Sequence, residues 1–106
     1  AGEHVQVESL VSDIPLEVDF SGPLVEKMIA AIKSEDPEGI PVPFLMSGGT
    51  DNKALAKLGI AGYGFSPLQL PTDLDFMALF HGVDERVPVE SLRFGARSLF
   101  HFLVNA

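Results

Sequence analysis

The sequence contains no cysteine. That excludes disulfide staples, thiol catalysis and thiolate zinc fingers, and it leaves the redox compartment undecided. Basic residues are few: 7 Lys and Arg stand against 15 Asp and Glu, a formal charge of −8 with a pI near 4.6. This balance argues against a nucleic-acid backbone or an anionic membrane surface as the main partner. No apolar run approaches the ~20 residues that span a bilayer. The start Ala1-Gly2-Glu3-His4 lacks an initiator Met, a basic region and a signal-type apolar stretch. It reads as the cut edge of a longer chain, and the expected compartment is the cytoplasm. Internal repeats and low-complexity tracts are also lacking.

What is present is the apolar content of a globular chain, 46% over 106 residues, enough for at most one ordinary domain. Val5 and Val7 alternate with polar neighbours, the period of a half-exposed strand, and Leu10 to Phe20 continues as extended chain interrupted by Pro15. Ser21 is an expected helix N-cap, with Pro23 in the first turn and Leu24, Val25, Met28, Ile29 and Ile32 forming one apolar stripe. Pro37 and Gly39 end that helix. Val42 to Met46 suits a buried parallel strand. Thr50 is then an expected N-cap for a short helix, Asn52 to Leu58, closed by Gly59. Ile60 to Phe65 reads as a second strand, and Ser66 to Phe80 as loop with a helical turn near Asp73 to Leu79. Glu90 to Val104 closes the chain as a helix, with Leu92, Ala96, Leu99, Phe100 and Leu103 on one face. Alternation of helices with apolar strands predicts an α/β fold with parallel pairing.

Three places bear residues suited to chemistry. At Ser47-Gly48-Gly49-Thr50-Asp51, two glycines leave backbone N–H groups open to a ligand, and a helix start points at the same place. A carboxylate or phosphate would suit that geometry, although many such turns are only tight turns with a cap. His81-Gly82-Val83-Asp84-Glu85-Arg86 carries an imidazole, the commonest ligand for zinc among side chains. A lone histidine is more often a hydrogen-bonded surface residue, and neither His4 nor His101 has ligand-type neighbours at metal-binding spacing. Asp84, Glu85 and Arg86 equally suit a solvated ion-pair patch. Asp73 and Asp75 have the spacing for acid–base work or Ca²⁺, without companion ligands, so a solvated loop is the simpler reading.

Taken in order, SGGTD, LGI, GFSPL and HGVDERV over Pro43 to Leu103 resemble the C-terminal part of the M20 family of zinc aminoacyl- and carboxypeptidases. That family also holds N-acyl-amino-acid deacylases, desuccinylases and dipeptidases; the HGVDER form looks most like its carboxypeptidase-S and acyl-amino-acid-hydrolase branch. The resemblance implies the C-terminal part of a mixed-sheet α/β/α sandwich catalytic domain over residues 19–106. Residues 1–18 would be a remnant of an inserted lid domain, its last strand and linker. It implies a cofactor of two zinc ions, with His81 as one metal ligand and Glu85 close behind it. Gly48, Gly49, Thr50 and Asp51 would line the substrate cleft and seat a substrate carboxylate. The family's His-x-Asp pair, bridging Asp, Glu-Glu pair and further carboxylate have no counterpart here. The expectation is therefore part of a hydrolase acting on dipeptides or N-acyl amino acids, inactive alone because the general base lies upstream. Apolar faces left bare, for example around Phe44, Leu45, Phe100 and Leu103, would then favour a homo-oligomer. The alternative is a non-catalytic α/β domain that binds an anion or peptide carboxylate at the Gly-Gly-Thr-Asp junction.

Overall fold

In a computed structural model, residues 4–10, 12 and 15–106 are described. Val11, Asp13 and Ile14, part of the extended stretch expected from Leu10, lie outside the described residues. Helix α1 runs Pro23–Glu35, α2 Asn52–Ala56 and α3 Val89–Val104, with a 3₁₀ turn at Met77–Leu79. Among the described residues no helix is long and apolar enough to cross a membrane.

No strand forms among the described residues, which corrects the expected α/β/α sandwich and the lid-derived strand at Val5 and Val7. The fold is a pair of packed helices carrying extended arms. A strand exists only through its ladder, and no backbone–backbone hydrogen bond engages residues 40–49 or 61–68. Pro41 and Pro43 remove two donors from the first run. Gly62 and Gly64 weaken the second. The runs are extended, but no strand of the described chain forms a ladder with them.

Helix α1 starts one residue later than its expected cap. Gly22 is the N-cap, at φ 95°, and Pro23 takes the first helical position. The Glu26 N–H donates to the Gly22 carbonyl at 3.0 Å, so the backbone closes the first turn without help from Ser21. Helix α2 ends at Ala56, two residues short of the expected Leu58, but the glycine that closes it stands where expected. Gly59, at φ 75°, takes the left-handed position, its N–H bonding the Ala56 carbonyl at 3.0 Å and the Ile60 N–H the Leu55 carbonyl at 3.1 Å. This double closure is the Schellman pattern that favours glycine after a helix.

The core lies between α1 and α3, the elements that pack together. Its buried members are Val25, Met28 and Ala31 from α1 and Phe94, Ser91 and Ser98 from α3. Small side chains at Ala31 and Ser98 let the helices approach closely, while Phe94 fills the remaining space. Arg97 Nε bonds Glu35 Oε2 at 2.5 Å, joining the end of α1 to the middle of α3. The Ser91 hydroxyl donates to the Gln69 carbonyl at 2.5 Å and holds the preceding loop against α3. The expected α3 face of Leu92, Ala96, Leu99, Phe100 and Leu103 is exposed throughout. The hydrophobic stripe thus points away from the partner that the helix uses.

At Gly95 the loop backbone lies close against α3: a Cβ there would lie 2.6 Å from the Pro67 carbonyl oxygen. Replacing a helical glycine with alanine ordinarily stabilises by about 0.8–1.0 kcal/mol. Here the clash is with backbone, and overpacking costs roughly 1–3 kcal/mol. Gly95→Ala is expected to lower the melting temperature despite better helix propensity. A higher melting temperature in a circular-dichroism melt would show that the 66–70 segment does not sit on α3.

Candidate functional site

The extended runs gain significance from what lies between them. Residues 44–48 and 62–66 wall an open trough of about 750 Å³. Phe44, Met46, Tyr63, Phe65, Phe76 and Phe80 supply much of its apolar lining. Phe76 and Phe80 meet edge-to-face at 5.0 Å on one side, and Phe65 packs on Phe102 of α3 at 5.3 Å. The Tyr63 hydroxyl donates to the Asp19 carbonyl at 3.0 Å, tying the N-terminal arm to the same region. Lys53 is the charged residue of the wall.

The junction predicted from the two glycines borders this trough. Gly48 and Thr50 line it, whereas Gly49 and Asp51 do not. Gly49 has open space where a side chain would be. The expected Thr50 side-chain cap does not form; Asp51 occupies the N-cap position, also without a side-chain bond. The Thr50 carbonyl accepts from the Lys53 N–H at 3.2 Å, and the Asp51 carbonyl from the Ala54 N–H at 2.9 Å. Helix α2 has 5 residues, too few peptide dipoles to polarise the junction strongly. Anion seating would therefore fall to individual N–H groups and the Thr50 hydroxyl.

His81 follows directly on Phe80, the last aromatic of the trough wall, and is solvent-exposed. Its φ of 60° is the one left-handed backbone among described non-glycine residues, a conformation costing about 1–2 kcal/mol. The loop around it supplies the restraint. Glu85 Oε2 accepts the His81 backbone N–H at 3.2 Å, and the Gly82 N–H bonds the Leu79 carbonyl at 3.0 Å. Arg86 Nη1 donates to the Asp84 carbonyl at 2.9 Å, so the guanidinium braces the loop backbone. Glu85 thus acts on the main chain of His81 rather than on its ring. Strain held by surrounding bonds is commonly found at functional sites.

Asp75 acts locally, its Oδ1 accepting the Ala78 N–H at 3.2 Å and steadying the 3₁₀ turn. Tyr63, Phe76 and Phe80 are wall residues that no sequence motif marks. Their signal is aromatic density beside glycine and proline, which does not reveal a cavity without the path of the chain. Zinc sites use about three or four protein ligands. Among the described residues no group of three or more His, Asp or Glu side chains is placed to hold a metal ion. His81 and Glu85 do not make a zinc site by themselves. No family model, curated protein or solved structure matches the chain.

Proposed function

We propose that this chain forms part of a zinc-dependent amidohydrolase or peptidase of the M20 type, acting on dipeptides or N-acyl amino acids. The observation that carries the reading is spatial. The Ser47–Thr50 junction and the segment leading into His81, well separated in sequence, border one apolar trough. His81 is held beside it in a strained backbone by Glu85. On this reading the Gly48 N–H and the Thr50 hydroxyl, both on the trough wall, hold the substrate carboxylate by charge-assisted hydrogen bonds. The apolar wall receives the substrate side chain or acyl group and excludes water from it. His81 contributes one imidazole to a metal centre whose other ligands and general base belong to polypeptide outside this sequence.

The test is an assay on a polypeptide that joins this chain to those remaining ligands. Release of free amino acid from N-acetyl amino acids or dipeptides is expected, lost on chelation and restored by zinc. Absence of release from both substrate classes would remove the reading. Saturable, metal-independent heat on titrating this chain with N-acetyl amino acids, without hydrolysis in the larger polypeptide, would instead identify a carboxylate-binding module.

A further inference from the structure

We infer that Tyr63 is a positioning residue: its hydroxyl latches residues 15–19 along the trough as a strap, and the latched strap sets a preference for ligands with a large apolar group. The preference presupposes that the trough receives the apolar part of a substrate, as proposed above; the latch does not.

The strap alternates. Leu16 and Val18 are half-buried and line the trough, while Glu17 and Asp19 are exposed and do not line it. This is the two-residue period of an extended chain with one side laid against a surface. Pro15 belongs to the same wall, and its ring narrows the conformations open to the segment. At the other end Gly22 turns the chain into α1 at φ 95°, a left-handed conformation suited to glycine. Backbone geometry therefore sets the direction in which the strap leaves the helix.

One hydrogen bond then holds the strap to the trough. The Tyr63 hydroxyl donates to the Asp19 carbonyl at 3.0 Å, across 44 residues of sequence. Among the described residues no other hydrogen bond engages positions 15–20. The remaining walls are fixed by other means. Phe65 packs on Phe102 of α3, Ser91 of α3 holds the Gln69 carbonyl, and Phe76 packs on Phe80. The strap is thus the wall whose position depends on Tyr63. Tyr63 also lines the trough, so a group seated there is offered its ring together with Leu16 and Val18. Hydrophobic stabilisation grows with the apolar area removed from water. A latched third wall therefore favours a bulky side chain or acyl group over a small one.

The chain has no cysteine, one tyrosine and no tryptophan, so each end of the latch can be read alone. A nitroxide attached at Glu17→Cys, the outward position, tests the strap without any ligand. It should quench the emission of Tyr63 and give a restricted electron paramagnetic resonance spectrum. Tyr63→Phe, which removes the hydroxyl and keeps the ring, should sharpen that spectrum to a mobile one. Equal mobility with and without the hydroxyl, or no quenching of Tyr63, would overturn the latch. Calorimetric titration of the whole chain with N-acetyl-L-phenylalanine and N-acetylglycine tests the preference. From the net worth of a protein hydrogen bond, Tyr63→Phe should weaken binding of N-acetyl-L-phenylalanine by roughly 2- to 10-fold. Binding of N-acetylglycine, which has no side chain to bury, should stay unchanged. Equal weakening of both, or weakening of neither, would overturn the positioning role. Binding of neither by the native chain, with the label still restricted, would overturn the preference and the trough as a substrate seat. The expected discrimination in this chain, with no hydrolysis in the larger polypeptide, would bear out the positioning role and overturn only the enzymatic reading.

Discussion

Phe94→Ala is expected to abolish the cooperative thermal transition of the helix pair. Phe94 is 6% exposed and is the one aromatic among the buried residues Val25, Met28, Ala31 and Phe94. Truncating a buried phenylalanine costs about 3–5 kcal/mol, the sum of lost transfer energy and the cavity left behind. Small domains have only ~5–15 kcal/mol of stability, and a core this small places the chain near the lower end. Phe100→Ala makes the control. Phe100 is 68% exposed, and its loss should stay within about 0.5 kcal/mol, as for surface substitutions generally. Urea and thermal melts followed by far-UV circular dichroism distinguish the two variants. Equal effects would mean that α3 does not pack on α1 through Phe94.

The second large effect is expected at His81, in the polypeptide that completes the proposed metal centre. His81→Ala should lower kcat/KM further than Glu85→Ala does. Glu85→Ala should fall within the roughly 10- to 100-fold range seen when a residue orienting a metal ligand is lost. The left-handed backbone separates chemistry from stability. His81→Gly removes the imidazole and also relieves the strained φ of 60°, so activity should disappear while stability rises by up to about 1 kcal/mol. A His81→Gly variant that keeps full activity would remove His81 from the metal centre. A fall in stability would mean that the imidazole itself holds the loop.

Local features of the fold were legible where backbone chemistry decides them. Proline at the start of α1 and glycine after α2 mark positions whose φ or missing donor leaves few alternatives, and both stand where expected. The length of α3 followed from its uninterrupted helix-forming run. The α1 stripe was legible in part: Val25 and Met28 are buried, but the face turns toward Ala31, and Leu24 stays exposed. In the candidate site, Gly48 and Thr50 do line a cavity. Glu85 was marked as a neighbour of His81, but its bond to the His81 main chain depends on a turn that spacing alone does not specify. The exposure expected at Phe44, Leu45, Phe100 and Leu103 is present at all four.

Sequence by itself determined the helices, the proline that opens α1 and the glycine that follows α2, the acidic charge and the two motifs, because each depends on neighbours within a few residues. Tertiary structure alone decided two matters. One is that the extended runs at 40–46 and 60–65 have no ladder, since pairing requires a partner strand that the described chain does not offer. The other is which face of α3 is buried. Hydrophobicity marked the leucine stripe, but close approach to α1 selected the small residues Ser91 and Ser98 together with Phe94. Packing rewards shape as well as apolarity, and shape is settled only when two surfaces meet.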